Sequence, residues 1–392
     1  MKFLKLVKIL YKAKWVLQRP EIKKILIFNS SGSEIIKKYI AMNNYQILSD
    51  RYCEINFYCV IKTIFSKKKF TKKLSHNYFI NFIQLSKAKI IISNIDNNSF
   101  LWGLKEHLPK IKVLLIQNGI RIFEDKKNLT PVKKDNPFGI LKKNKKIGNV
   151  DFFFVANKYF SNSYKEFINC KTKIIGYFRN NQLTYNSKKI EKNSLTYISQ
   201  YRPVFKYKHN VDMPDEKILK FLNEYAFKNN KKLNILCGPV KLTPKNFEGE
   251  KLLQFCKKEL KFANWKIYQK NKGINNRYYN YIKCINSNVI VTIDSTLGYE
   301  LLARGKRVAF FSTRDWGGYH IKFGYPKKMN NSGVFWTNNY NVKKYGTILD
   351  YLFLNSDKNF YNKNKKIIKD ISFFDKKNSI FKKTIKNLEN KK

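Results

Sequence analysis

The residues best suited to chemistry lie in one run, Val291-Thr292-Ile293-Asp294-Ser295-Thr296-Leu297-Gly298-Tyr299-Glu300-Leu301-Leu302-Ala303-Arg304-Gly305. An apolar strand ends at Asp294, and Ser295 and Thr296 are placed to cap the helix that follows. The free N–H groups and the dipole at such a helix start attract a phosphate. Gly298 permits close approach to that end, and Glu300, one turn in, is positioned to accept hydrogen bonds from sugar hydroxyls. An ordinary capped helix with Glu300 in a surface ion pair explains the same residues, so the run needs support from elsewhere in the chain.

Part of that support is the next loop, Phe311-Ser312-Thr313-Arg314-Asp315-Trp316-Gly317-Gly318-Tyr319-His320, which continues through Phe323-Gly324-Tyr325-Pro326 and Gly333-Val334-Phe335-Trp336-Thr337. Its glycines supply backbone freedom, its aromatics offer stacking surfaces, and Arg314 is one of few arginines in this half; a long surface loop has the same content. In the first half of the chain, Ile116-Gln117-Asn118-Gly119-Ile120-Arg121 closes an apolar run with polar groups and a glycine turn. Ser93-Asn94-Ile95-Asp96-Asn97-Asn98 does so one strand earlier. Asp96, Asn97, Gln117, Asn118 and Arg121 can therefore line one cleft, although Asn-Gly alone most often marks only a turn.

The elements that must hold these residues are short, nearly all-apolar strands alternating with helices, as in a parallel sheet covered on both faces. The strand readings are Lys24–Asn29, Lys89–Ser93, Lys112–Gln117, Asp151–Val155 and Lys173–Gly176, then Leu195–Ser199, Leu233–Gly238, Trp265–Tyr268, Val289–Ile293 and Arg307–Phe311. Helices are expected from Glu34, over Phe100–His107 and over Asp215–Asn229. At 392 residues the chain exceeds one hydrophobic core, and two α/β domains follow. The boundaries are a basic amphipathic helix over 1–20, one domain over 21–190, a second over 191–340, and helices with a Lys-rich tail over 341–392.

Composition excludes several classes. The 43% hydrophobic content argues against global disorder. No segment reaches about 18 consecutive apolar residues, which excludes a polytopic membrane protein. The first stretch, MKFLKLVKILYKAKWVL, carries Leu4, Val7, Leu10, Tyr11 and Trp15 at helical spacing among lysines, suiting an anionic membrane surface or the body of the protein equally. Six cysteines without a CxxC read as buried free thiols in a reducing compartment, and four scattered histidines show no metal-ligand spacing. The formal charge of +52 predicts attraction to polyanions. Lys is spread throughout, however, and Arg, the residue preferred for reading bases, is scarce, so the excess reads as compositional drift toward Lys, Asn, Tyr and Phe.

Assembled, the motifs resemble a known family. SNIDNNSFLWGLKEHLPKIKVLLIQNGIR from Ser93 to Arg121, IIGYFRNN at Ile174–Asn181, ISQYRP at Ile198–Pro203 and TIDSTLGYELLARGKRVAFFS at Thr292–Ser312 look like bacterial surface carbohydrate biosynthesis proteins of the GT-B fold. The resemblance covers roughly residues 21–340 and extends more widely to transferases using CMP-Kdo. It implies two Rossmann-like domains with parallel sheets facing a central cleft, the acceptor mostly on the first and the nucleotide-sugar donor mostly on the second. The expected activity is metal-independent glycosyl transfer, with a CMP-linked sugar among the donors and a surface polysaccharide or lipid-linked glycan as acceptor. No cofactor and no nucleic-acid partner are expected. Ser295, Thr296 and Gly298 would hold phosphate, Glu300 a ribose or sugar hydroxyl, and Arg314, Arg202 or Arg121 the leaving-group charge. Asp96 is the first choice of general base for an inverting reaction, with Glu124 or Asp125 behind it; an Asp capping the helix after Ile95 accounts for it as well. The expected location is cytoplasmic, with peripheral attachment to the inner face of the cytoplasmic membrane. The competing classes are a basic nucleic-acid-binding protein and a non-catalytic GT-B-like scaffold at the membrane.

Overall fold

The computed structural model describes residues 11, 13–29, 32–49, 54–66, 70–124, 140–142, 148–184, 190–204, 213–237, 246–269, 278–315 and 320–390, with backbone alone for 122–124 and 140–142. The chain divides into two compact units. One takes in Met1–Ile120, Leu141–Gln182 and Asp375–Lys392, the other Arg121–Ile140 and Leu183–Phe374.

In the first unit, Ile25–Phe28 (β1), Tyr45–Leu48 (β2), Ile90–Ser93 (β3), Lys112–Ile116 (β4), Asn149–Val155 (β5) and Asn169–Ile174 (β6) form one parallel sheet in the order β6-β5-β4-β3-β1-β2. Every residue of β1 and β3 is buried, because helices cover both faces of the central strands and only continuous Ile/Leu/Phe runs satisfy both sides. The edge strand β6 instead alternates, NCKTKI, with Lys171 and Lys173 discouraging further pairing. The sequence expectation of Lys173–Gly176 followed the apolar Ile174-Ile175 pair and so sits several residues too far along. Between these strands lie helices Phe57–Phe65 (α1), Leu74–Leu85 (α2), Ser99–His107 (α3) and Lys158–Phe167 (α4). Abundant asparagine is used at their starts. Asn56 accepts from Cys59 N, Asn98 from Phe100 N, and Asn157 from Tyr159 N and Phe160 N.

The expected N-terminal helix does not reach Leu17. Lys14–Val16 is a short strand, parallel to Glu54–Asn56, and residues 1–10 lie outside the described part. Trp15, assigned to the apolar stripe of that helix, instead meets Phe57 edge-on at 6.1 Å.

The second unit repeats the plan. Glu191–Ser199 (β7), Lys232–Cys237 (β8), Trp265–Tyr268 (β9), Ser287–Thr292 (β10), Val308–Phe311 (β11) and Trp336–Thr337 (β12) form a parallel sheet in the order β9-β8-β7-β10-β11-β12. Pro214–Lys228 (α5) and Thr296–Ala303 (α6) are among its crossover helices, and Val342–Leu354 (α7) and Asp357–Ile371 (α8) belong to it rather than to a separate tail. Ser379–Glu389 (α9) returns to the first unit. Its Phe381 and Ile385 are fully buried in one cluster with Ile25, Ile92, Ile116 and Phe154. A Lys-rich helix with an apolar stripe needs a partner surface, and this sheet face provides one.

Candidate functional site

In an open parallel sheet, connections that leave adjacent strands in opposite directions create a crevice at the strands' carboxyl ends. In the second unit that place is between β7 and β10, since the chain runs from β7 to β8 on one side while β10 lies on the other. The chain leaves β7 through Gln200-Tyr201-Arg202-Pro203 and β10 through Ile293-Asp294-Ser295. Ser295 is extended (φ −69°, ψ 132°) and caps α6: its Oγ accepts from Leu297 N at 3.3 Å, and its own N–H donates to Thr292 Oγ1 at 3.3 Å. Thr296 is the first helical residue and is half-buried. The positive end of α6 therefore stands at the crevice. Arg202, also half-buried, makes no hydrogen bond or ion pair among the described residues.

Beneath this lip is a buried charge network that the sequence reading did not assemble. Arg314 donates from Nη2 to Asp215 Oδ2 at 2.6 Å, and from Nη1 to Asp294 Oδ1 and Gln200 Oε1, both at 3.0 Å. Tyr197 Oη donates to Asp215 Oδ1 at 2.7 Å, and Gln200 N donates to the same oxygen at 3.2 Å. The Arg314 side chain is 1% exposed. Burial alone would lower the pKa of its guanidinium, but Asp294 and Asp215 outweigh burial and raise it. Burial, reinforced by Asp215, holds the Tyr197 phenol well above its usual range, so it remains a donor. One cation between two carboxylates has no charge to spare for a ligand. The expected phosphate role of Arg314 is thus replaced by a structural one: it joins the ends of β7, β10 and β11 to the start of α5.

A further expectation changes for a steric reason. A Cβ on Gly298 would lie 2.6 Å from Thr292 Cγ2 and 3.2 Å from Phe310, so this glycine seats α6 on the sheet instead of admitting a ligand. Glu300 is 8% exposed and acts electrostatically on Arg304, one turn further on. In the following loop Phe323 and Phe335 belong to the core: Phe323 stacks on Trp336 at 4.8 Å and Phe335 is fully buried. Trp316 to Tyr319 lie outside the described residues.

In the first unit the switch point falls between β1 and β3. Gly32 (φ +81°) brings the loop after β1 so close to Asn94 that a Cβ would meet its Nδ2 at 2.5 Å. Asp96 is fully buried, accepting from Tyr164 Oη at 2.5 Å and Asn118 N at 3.4 Å, while its carbonyl accepts from Trp102 Nε1 at 2.9 Å. A general base must reach the proton it takes. This carboxylate is committed to positioning the loops after β3 and β4. Asn118 Nδ2 donates to Asn94 O at 2.7 Å, and Gln117 links Gly119 O (2.8 Å) to Ala156 N (3.0 Å). The structure therefore gathers Asp96, Gln117 and Asn118, though mainly as mutual braces, and leaves Asn97 exposed. Arg121 is buried and opens the segment that groups with the second unit. Glu124 is described by backbone only, and Asp125 lies outside the described residues. Among the described residues no set of three or more His, Cys, Asp or Glu could hold a metal ion, and no helix is long and apolar enough to cross a membrane.

Among solved structures, the fold is similar to the S. aureus MnaA–UDP co-structure (15% identity, TM-score 0.52, 94% of this chain and 97% of that one). It is also similar to a structure from Listeria monocytogenes titled "putative UDP-N-acetylglucosamine 2-epimerase" (12%, 0.54, 95% and 98%). A variant of the wall teichoic acid polymerase TagF is a third (12%, 0.50, 94% and 90%). At these identities the likeness is one of fold, and the two Rossmann-like parallel sheets are those of the GT-B class. No curated protein matches the sequence. Residues 114–389, more than half of the chain, match the model of a family described as "putative O-antigen biosynthesis protein". The chain belongs to this family of O-antigen biosynthesis proteins, whose business is surface polysaccharide.

Proposed function

We propose that the protein is a glycosyltransferase that moves a sugar from a nucleotide-activated donor to a surface-glycan or lipid-linked acceptor. The observation that carries this reading is the crevice between β7 and β10 at the switch point of a parallel sheet, with the capped start of α6 after one strand and the half-buried Arg202 after the other. Family membership supplies the polysaccharide context. In this reading the hydroxyls of Ser295 and Thr296, at the positive end of α6, bind the donor phosphates. Arg202 stabilises the charge that develops on the departing nucleotide, as positioned donors do wherever negative charge grows in a transition state. Glu300, set back by one turn, receives a ribose or sugar hydroxyl. The charge is met without a resident metal. Asp96 acts indirectly, by holding the strand-end loops of the acceptor-side unit through Tyr164 and Asn118.

The test begins with thermal-shift measurements against CMP, UDP, GDP and CDP, since a ligand bound at 100 times its Kd stabilises by about 2.7 kcal/mol. One of the four should raise the melting temperature. In calorimetry, Arg202→Ala and Ser295→Ala should each weaken that nucleotide by roughly tenfold, in line with about 1.5 kcal/mol for a hydrogen bond to a charged group. Absence of a shift with all four, or unchanged binding in both variants, overturns the site.

A further inference from the structure

Helix α1, Phe57-Tyr58-Cys59-Val60-Ile61-Lys62-Thr63-Ile64-Phe65, is turned the wrong way round for a soluble surface. The side chains it buries are Cys59 and Thr63, and Thr63 needs hydrogen bonds to Cys59 O and from Asn81 Nδ2 to be buried there. The opposite stripe, Phe57, Ile61, Ile64 and Phe65, keeps helical spacing yet is exposed, Ile64 at 58% and Phe65 at 78%. Ordinary amphipathicity would put these four against the core. The neighbouring segments continue the pattern. Trp15 packs edge-on against Phe57, Leu17 is 72% exposed, and Leu74, at the start of α2, is 65% exposed.

The same segments of chain carry basic groups. Lys72 and Lys73 are exposed just before Leu74, Lys62 sits within α1, and the Arg19 guanidinium lies 4.5 Å over the Tyr58 ring. Lys14 is exposed on the short strand, with Glu54 as a distant partner at 3.9 Å. An apolar stripe with a positive surround matches the boundary of an anionic bilayer, where side chains enter the acyl edge and cations meet headgroup phosphates. A second protein copy would bring its own like charge to the same face, in a chain already at +52.

We infer that the face formed by α1 and the Lys14–Val16 strand docks the protein on an anionic lipid surface. This goes beyond the proposed glycosyl transfer, and it is tested without any donor nucleotide, so either can fail alone. Full-length protein is floated with phosphatidylcholine vesicles, with and without phosphatidylglycerol. It should rise with the anionic vesicles and stay behind with the neutral ones. Ile64→Gln with Phe65→Gln changes two exposed side chains and should leave circular dichroism and melting unchanged while lowering lipid partitioning by at least about tenfold. Lys72→Gln with Lys73→Gln should lower it by roughly tenfold and flatten its salt dependence. Wild-type protein that ignores anionic vesicles overturns the inference. So does equal flotation of the Ile64/Phe65 variant, which would move the contact elsewhere on the chain. A concentration-dependent dimer abolished by the same variant, without lipid binding, also overturns it and assigns the face to a second copy.

Discussion

Arg314 illustrates how a charge can sit at the end of a strand, where ligands collect, and yet serve only the interior. Both of its Nη groups are spent on Asp215, Asp294 and Gln200. Arg314→Met would leave two buried carboxylates without a counter-charge and should cost about 3–5 kcal/mol in urea unfolding. Asp215→Asn, which leaves Arg314 its Asp294 partner, should cost clearly less. Equal losses would mean that the network does not act through charge. At this scale the sequence showed where polar residues stand, at strand ends, but not which way they face. Asp96 and Arg202 both follow apolar runs, and only the fold shows that Asp96 lies against Tyr164 while Arg202 is left half-open. Asp215 was overlooked because an acid in a helix's first turn has a sufficient local reason to be there.

Among the elements, the central strands were legible because burial on both faces demands unbroken apolar runs, as in Ile25–Phe28 and Val308–Phe311. The edges were not. Tyr45–Leu48 is half-buried and the two-residue Trp336–Thr337 strand is too short to carry a pattern, so neither stands out from loop. The seating of α6 on its sheet makes a sharp test. Gly298→Ala should destabilise by about 1–2 kcal/mol in spite of alanine's better helix propensity, because the new methyl overlaps Thr292 Cγ2. Thr292→Ser deletes that methyl, so the double variant should recover part of the loss. A cycle of urea midpoints measures the coupling, and strict additivity would exclude the contact.

For the molecule as a whole, the alternation of strands and helices was enough to expect two α/β units, whereas the return of α9 was not visible. Nothing local in Ser379–Glu389 says which sheet will receive Phe381, since any apolar face would satisfy its stripe. Phe381 meets Phe178 at 4.8 Å and Phe154 at 5.0 Å. Phe381→Ala should therefore cost about 3–5 kcal/mol, seen as early loss of the first unit in limited proteolysis, with cleavage inside the second unit unchanged. The same helix sets a timetable for synthesis on the ribosome. Domains generally fold as they emerge, amino-terminal first. Here the amino-terminal sheet cannot complete its core until residues 379–389 have been translated, by which time every strand of the second sheet is already available. The unit made first is the one finished last, and a nascent chain arrested before Ser379 carries the open Ile25–Phe154 face as a surface for chaperones.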